Sequence, residues 1–342
     1  KVLIDKAKDV GANAVKFQSY KAKKLANVNT PKVKYQKFNS INSNETHLEM
    51  LQKYELSEDD HINLKDYCDK KNIDFLSTPY DVESAKLLNR LNVKMFKVAS
   101  ADLVDLQLHK YLSSTFKPVI ISTGGAKEKT IEDCVLFFEH RNIPLAINHC
   151  VSIYPSEDSE LELNQIDYLI KKYPEHIIGF STHEKTDWEY SMLMSYAKGA
   201  RTWERHIDIN YQNVPVAAYC SLPNQIDTWF KAFHKAIEMC GGSSDTRRNI
   251  PVKERKYLDE LVRGVFAKKD IEEGYIFSSD NFEDDFYLAV PLHKGQLSCR
   301  EIINGEKLIK SIKKDEQLSV EHVNGPYSEI DILKKAILER GI

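Results

Sequence analysis

Several features that mark other protein classes are missing from this 342-residue sequence. The formal net charge is only −3, so no overall field favours nucleic acid or an anionic membrane. No apolar run approaches the roughly 20 residues that a spanning helix needs, and no signal peptide is visible. No GxGxxG motif follows an apolar run and no nucleophile elbow occurs, which argues against a dinucleotide fold and against serine-type nucleophilic catalysis.

Paired cysteines are missing as well. The chain has six cysteines, none of them in a CxxC motif: Cys68, Cys134, Cys150, Cys220, Cys240 and Cys299. Scattered thiols of this kind favour a reducing compartment over a disulfide framework or a zinc knuckle. We therefore predict a cytoplasmic protein that binds neither nucleic acid nor a membrane.

What the first 245 residues do contain is an alternation of short apolar runs and amphipathic helices. In the clearest unit, a strand ends near Thr78, Asp81 can cap the following helix, and a second strand carries Lys97. Such units recur every 20 to 30 residues or so, roughly the size of one β/α repeat. This predicts an α/β fold, a (β/α)8 TIM barrel. Because the chain starts directly in a helical pattern at Lys1, we expect the first strand to be missing through truncation.

The pattern changes after residue 245. Residues 246–262 have the composition of a charged linker, and residues 263–325 contain short, turn-rich, β-like segments. Residues 326–342 form a polar stretch typical of a tail helix. We therefore predict a barrel domain over residues 1–245 and a small β-rich domain over residues 263–325.

Polar side chains gather at the predicted strand ends. Lys16 and Lys97 lie there with several serines and threonines, close to Gly124 and Gly125. Ammonium groups, hydroxyls and exposed backbone N–H groups suit a phosphate or carboxylate ligand. Any single strand-end hydroxyl could merely cap a helix, but a whole set at matching ends favours an anion site.

Two histidines, His183 and His206, each follow a predicted strand directly, on what should be neighbouring strands. Neighbouring imidazoles can share a divalent metal and leave positions open for water and substrate. A lone strand-end histidine is more often a hydrogen-bonded core residue, so the spacing alone is a weak signal. Glu184 and Glu204, close to these histidines, could support them or simply be surface charges.

The predicted strand ends carry a set of motifs in a fixed order: VKFQ (15–18), FLSTPYD (75–81), FKVASAD (96–102), ISTGGA (121–126), HCVSIYP (149–155), GFSTHE (179–184) and WERHI (203–207). Together they resemble the sialic acid synthase family, which condenses phosphoenolpyruvate with an N-acylated amino sugar to give nonulosonic acids. The segment that begins RGVFAKKDIEEGYIF resembles the antifreeze-like (SAF) domain of that family.

The resemblance implies a role for each matching position. The catalytic residues would be Lys16, Lys97, His183 and His206. The two histidines would also bind Mn²⁺ or Mg²⁺. Phosphoenolpyruvate would be held by Lys16, Thr78, Lys97, Ser100, Ser122, Ser152 and Ser181. The sugar would face Gln18, Asp102 and Tyr154. The resemblance further implies a homodimer in which the SAF domain of one chain covers the active site of its partner.

The departures from the family concern the sugar side. Ala217 would occupy a position where the family's last barrel loop carries an aspartate, and Ala101 replaces a glycine. The family's first strand, with its acid/base glutamate, has no counterpart. The small domain lacks an Arg-Pro-Gly motif, for which Lys294 or Arg300 could substitute. We therefore expect an acceptor other than N-acetylmannosamine.

Three functions remain open at this point. The first is a metal-dependent enzyme that makes a nonulosonic acid for surface polysaccharides. The second is a non-catalytic sugar-binding or regulatory relative, which the lost aspartate and arginine would suit. The third is a generic metal-dependent barrel aldolase.

Overall fold

Parallel strands frame residues 1–241 in the computed structural model, which describes residues 1–32, 36, 45–211, 215–242, 245–302 and 305–342. The described part of this first unit has seven strands: β1 (Ala14–Ser19), β2 (Asp74–Pro79), β3 (Phe96–Val98), β4 (Val119–Ser122), β5 (Leu145–Cys150), β6 (Ile177–Thr182) and β7 (Thr202–Arg205). Strand β1 pairs with β2, and β3 to β7 pair successively in chain order. Every one of these pairings is parallel.

The sheet curls on itself. Lys16 Nζ on β1 lies 3.0 Å from Glu204 Oε2 on β7, although these are the first and last of the seven strands. In a flat sheet, six strand spacings would separate them by roughly 29 Å. The prediction of an α/β fold is thus confirmed, and its parallel sheet is curled.

Helices follow the strands. Those in the described part of the first unit are α1 (Val2–Asp9), α2 (Ala22–Leu25), α3 (His47–Tyr54), α4 (Glu58–Lys71), α5 (Val82–Arg90), α6 (Leu106–Ser114), α7 (Glu128–Glu139), α8 (Asn164–Lys172), α9 (Trp188–Ala197) and α10 (Pro223–Cys240). Asp81 caps α5 as predicted, because its carboxylate accepts from Ser84 N. Among the described residues, no helix is both long and apolar enough to cross a bilayer.

Three helices of the first unit differ from the sequence-based expectation. The first of them, α2, lies in a segment expected to be a polar connection. Helix α6 was not expected; it begins after Asp105, whose side chain accepts from Leu108 N. The sequence pattern also predicts a helix over residues 44–53, and the first of these residues, Asn44, lies outside the described residues. In the structure α3 begins at His47, after Thr46 and Glu49 form a reciprocal capping box.

One apolar cluster lies between the helices and the outer face of the sheet. It includes Ile121 on β4, Phe180 on β6 and Leu112 on α6, all fully buried. Burial of side chains of this size stabilises the fold by about 1.5–3 kcal/mol each. Because successive strand residues point to opposite faces, the outward position of Ile121 and Phe180 places Ser122 and Ser181 on the inner face.

Residues 242–342 form the second unit. Strands β8 (Gly264–Ala267) and β9 (Phe286–Ala289) pair antiparallel, and isolated bridges join further short segments. Its helices within the described residues are α11 (Val252–Leu261), α12 (Phe282–Asp285), α13 (Pro326–Glu329) and α14 (Asp331–Glu339). Helix α11 lies in the segment expected to be a charged linker. The unit has its own apolar cluster, with Val265, Phe277 and Leu297 at its centre.

Candidate active site

The carboxyl ends of the seven parallel strands bring the predicted site residues to one edge of the sheet. Six of them lie on the strands themselves: Lys16 and Gln18 on β1, Thr78 on β2, Lys97 on β3, Ser122 on β4 and Ser181 on β6. The other six follow directly after strands: Ser100 and Asp102 after β3, Ser152 and Tyr154 after β5, His183 after β6 and His206 after β7. This edge is where enzymes with curled parallel sheets carry their chemistry.

A carboxylate between two ammonium groups forms the charged centre of the site. Glu204 Oε2 lies 3.0 Å from Lys16 Nζ, and Glu204 Oε1 lies 3.5 Å from Lys97 Nζ. Burial by itself would raise the pKa of Glu204, but the two ammonium charges outweigh it and hold this pKa well below its usual range. Glu204 is therefore ionised, and the three groups together keep a positive charge that can attract an anion.

Lys97 is the buried member of this centre, with a side chain that is 4 % exposed. Its ammonium group donates to Ser122 Oγ at 2.6 Å and to the backbone carbonyl of Val98 at 2.9 Å. Burial lowers the pKa of Lys97 to about 8, against the opposing effect of Glu204. An anion bound beside this ammonium would replace part of the lost hydration and stabilise the charged form.

A tight cradle lies beside the charged centre, at Gly124. Its backbone N–H donates to Ser100 Oγ at 2.9 Å. A Cβ added at Gly124 would lie 2.2 Å from Ser152 Oγ and 3.0 Å from Cys150 Sγ. Only glycine therefore lets the two serine hydroxyls come this close to the backbone, which creates a small set of neutral donors near two ammonium groups.

The two predicted histidines lie next to each other, with ring centroids 5.4 Å apart. His183 Nδ1 lies 3.0 Å from the carbonyl of Val151. Because a carbonyl can only accept, Nδ1 carries the proton and Nε2 has the lone pair. Desolvation lowers the pKa of His183 to about 4, and desolvation followed by the neighbouring His183 ring lowers the pKa of His206 to about 3.

This pair could hold a divalent metal. Both imidazoles are neutral near pH 7, which is the form that binds metals, and the Val151 carbonyl orients His183 as carbonyls commonly orient ligating histidines. Within the described residues, no group of three His, Cys, Asp or Glu side chains could hold a metal. Two histidines would thus leave the remaining positions to water and substrate. Nitrogen donors suit Mn²⁺ better than Mg²⁺.

Aromatic rings line the same region. The Tyr154 ring centroid lies 4.2 Å from that of His183, and the Tyr219 ring meets His206 edge-on at 5.2 Å. The two tyrosine rings are themselves 5.3 Å apart. They form an aromatic wall beside the histidines, and Tyr219 was not among the residues singled out from the sequence.

Gln18 and Asp102 are the other two residues predicted to face a sugar. Gln18 Nε2 donates to Tyr80 Oη at 3.1 Å. Asp102 Oδ2 is buried without a hydrogen-bond partner among the described residues. Burial, followed by the charge of Asp105, raises the pKa of Asp102 to about 6. A carboxyl group in this condition can accept a hydrogen bond from a ligand hydroxyl.

From the sequence, Glu204 could be either a supporting residue of the site or a surface charge, and the structure places it in the charged centre. A signal was nevertheless present, since Glu204 and His206 are two positions apart near the end of β7. Residues two apart on a strand point to the same face, so a histidine directed into the site predicts the same direction for Glu204.

Comparisons with known proteins identify a family and similar relatives. A family model described as the NeuB family matches residues 3–244. The N,N'-diacetyllegionaminic acid synthase of Campylobacter jejuni serotype O:2 is 33 % identical over 290 residues, which is 82 % of this chain and 83 % of that protein.

Two solved structures are also similar. A candidate spore coat polysaccharide biosynthesis protein E from Chromobacterium violaceum has a TM-score of 0.83 at 24 % identity, over 95 % of this chain and 94 % of that one. The N-acetylneuraminic acid (sialic acid) synthetase from Leptospira borgpetersenii, in complex with citrate, has a TM-score of 0.65 at 26 % identity, over 75 % of this chain and 83 % of that one.

Proposed function

The chain belongs to the NeuB family, and from this premise we propose that it condenses phosphoenolpyruvate with an N-acylated amino-sugar aldehyde. The product would be a nonulosonic acid for surface polysaccharides, and phosphate would be released, so the enzyme would be a transferase. The names of its relatives, which include synthases of legionaminic and neuraminic acids, support this class of product.

The observation that carries the proposal is the charged centre and the cradle beside it. Phosphoenolpyruvate bears a phosphate and a carboxylate close together. The ammonium groups of Lys16 and Lys97 flank Glu204, and the donors around Gly124 lie close by. Two fixed cations with hydroxyl and backbone donors are the groups that bind such a compact polyanion and stabilise charge that develops on it.

The proposed reaction has two stages. In the first, C3 of the enol forms a bond to the aldehyde carbon of the sugar, and the aldehyde oxygen takes up a proton. In the second, water adds to the oxocarbenium-like C2 and releases one proton. The bond from C2 to the phosphate oxygen then breaks, C2 becomes the ketone carbon of the product, and the phosphate leaves with the second proton of the water. Lys16 and Lys97 would hold the phosphate and the carboxylate throughout, because their charges are fixed in place by Glu204 and Ser122.

His183 and His206 would hold the divalent metal at the aldehyde end of the substrates. When bound there, Mn²⁺ would polarise the sugar aldehyde as a Lewis acid. The chain's own contribution is orientation: the Val151 carbonyl fixes the His183 ring, and the Tyr154 ring packs against it. Tyr154, Gln18 and Asp102 would contact the sugar.

The acceptor we propose is not N-acetylmannosamine. Ala217 is buried and has no carboxylate with which to bind a sugar hydroxyl. The aromatic wall of Tyr154 and Tyr219 would instead favour an acceptor with more apolar surface at that end.

Phosphate release tests the proposal. The full-length protein is incubated with phosphoenolpyruvate, Mn²⁺ and, in turn, the amino-sugar aldehyde precursors of legionaminic, pseudaminic and N-acetylneuraminic acids. We expect release with one of the first two and none with Lys97→Met. Absence of turnover with every acceptor, together with sugar binding that needs neither metal nor phosphoenolpyruvate, would instead support a non-catalytic relative. Turnover that a phosphonate analogue of phosphoenolpyruvate does not inhibit would support a generic aldolase.

We further propose a homodimer in which residues 263–325 of one chain, as an SAF domain, cover the strand-end edge of the partner. Exclusion of water there would strengthen the interactions of the charged centre. Light scattering at micromolar concentration should give twice the mass of one chain. A fully active monomer would contradict this proposal.

A further inference from the structure

A buried ion pair lies immediately next to the two histidines in the chain. Glu184 follows His183, and Arg205 precedes His206. The side chain of Glu184 is 0 % exposed and that of Arg205 is 1 % exposed, and Arg205 Nη1 lies 2.9 Å from Glu184 Oε2. We call this the Glu184–Arg205 pair. It connects the two chain segments that carry the histidines.

Further bonds tie neighbouring elements to this pair. Arg205 donates from Nη2 to the backbone carbonyl of Glu184, and from Nε to Ser221 Oγ at 2.5 Å. Glu184 accepts hydrogen bonds from Thr182 Oγ1 on β6 and from Ser191 Oγ on α9. The ends of β6 and β7, helix α9 and the segment before α10 therefore meet at one buried point.

This point lies on the opposite face of the sheet from the charged centre. In the β6–β7 register, Ser181 pairs with Glu204 and Thr182 pairs with Arg205. Glu204 contacts Lys16 on the inner face, so its neighbour Arg205 points to the outer, helix-covered face. The Glu184–Arg205 pair therefore contacts no ligand of the inner face and can act on the site only through the backbone.

The backbone carbonyl of each histidine also accepts a hydrogen bond. The carbonyl of His183 accepts from Ser156 N at 3.1 Å, and the carbonyl of His206 accepts from Ser221 N at 2.9 Å. Ser221 therefore binds His206 through its backbone and Arg205 through its side chain. A change in the ion pair would be transmitted to the backbone that sets the position of each imidazole.

We propose that the Glu184–Arg205 pair is a positioning device that fixes the separation of His183 and His206 and thereby sets their affinity for a divalent metal. A contribution to stability does not explain such a pair, since apolar residues of similar volume often stabilise a fold equally well. Precision is a better reason, because a metal site tolerates only about 0.5 Å of error in its ligands. The inference rests on the proposed metal-dependent function.

Mn²⁺ binding without substrates tests the inference. Calorimetry and the electron paramagnetic resonance signal of free Mn²⁺ give the dissociation constant for the full-length protein and for Glu184→Gln. We expect binding to weaken about tenfold in this variant, the lower end of the effect of residues that orient metal ligands. Glu184→Asp keeps the charge and should recover part of the loss.

A milder variant and a matched control separate positioning from folding. Ser221→Ala removes one bond to Arg205 and should weaken Mn²⁺ binding even if Glu184→Gln does not fold. Leu112→Ala lowers stability from the outer core and should leave Mn²⁺ binding unchanged. The inference is wrong if folded Glu184→Gln and Ser221→Ala bind Mn²⁺ as tightly as the wild type does. It is also wrong if Leu112→Ala weakens Mn²⁺ binding as much as those two variants do. Either result leaves the proposed function untouched. If the wild type binds no Mn²⁺, the metal site itself is wrong and the inference falls with it.

Discussion

Replacement of Asp102 by asparagine should stabilise the protein at neutral pH. Asp102 Oδ2 is buried without a hydrogen-bond partner among the described residues. Burial, followed by the charge of Asp105, raises the pKa of this carboxyl from its usual 3.8 to about 6. At pH 7 the fold must therefore hold a carboxylate at a position that disfavours its charge. Asparagine has nearly the same shape and no charge.

The magnitude follows from the size of this pKa shift. A shift of about two units corresponds to about 3 kcal/mol. The side chain is partly open to solvent, which screens the effect, so we expect a gain of about 1–2 kcal/mol. For a unit of this size each kcal/mol raises Tm by about 2–4 °C, which gives a rise of roughly 2–8 °C.

The sign depends on pH. A raised carboxyl pKa means that the folded state holds its proton more tightly than the unfolded chain does. The corresponding stability is fully present below about pH 4 and is lost as the pH rises through about 6. The advantage of Asp102→Asn should therefore be absent near pH 4, grow up to pH 6 and stay constant above it.

Calorimetric melting curves between pH 4 and pH 8 check this expectation. Asp66→Asn, which alters an exposed carboxylate on α4, is the matched control and should change stability by less than about 0.5 kcal/mol. A variant that is no more stable than the wild type at pH 7.5, or that keeps the same advantage at pH 4, would refute the reasoning. Loss of sugar turnover in the stabilised variant would fit a residue kept for function at a cost in stability.

Three further predictions concern binding of a phosphonate analogue of phosphoenolpyruvate, measured by calorimetry. Wild-type affinity should fall as the pH rises through about 8, because Lys97 then loses its proton, and Lys97→Met should bind at least about tenfold more weakly without this pH dependence. Glu204→Gln should move the fall to lower pH, since Glu204 raises the pKa of Lys97; an unchanged profile would contradict this. Gly124→Ala should also weaken binding, because its Cβ would displace Ser152 Oγ; wild-type affinity would argue against the cradle.

The periodicity of apolar residues predicts most helices and strands of this fold. It fails where polar side chains are buried in place of apolar ones. The sequence pattern predicts a helix over residues 164–172 and a strand over residues 202–205, and α8 and β7 have these bounds in the structure. Helix α6 was not predicted, because two of its four buried residues are polar, His109 and Ser113. His109 Nε2 lies 2.9 Å from the carbonyl of Asp102, a partner that only the folded chain reveals. Such a helix has no continuous apolar stripe in its sequence.

For the site, the sequence predicts which residues reach the strand ends but not which of them pair. The motifs place Lys16, Lys97 and the two histidines at one edge. The pairing of Glu204 with both lysines depends on how far the sheet curls, which brings β1 to β7. The Glu184–Arg205 pair depends on the register between β6 and β7. Curl and register are properties of the assembled sheet, so these two pairings cannot be predicted from a single sequence.

Acceptor-dependent phosphate release is the measurement that tests the central claim most directly. With Mn²⁺ and one amino-sugar aldehyde present, the proposed function predicts one phosphate released per nonulosonic acid formed, identified by mass spectrometry. It also predicts that omission of the aldehyde stops the release. Phosphate release that does not depend on the aldehyde, or a folded protein that consumes no phosphoenolpyruvate with any acceptor, would contradict it.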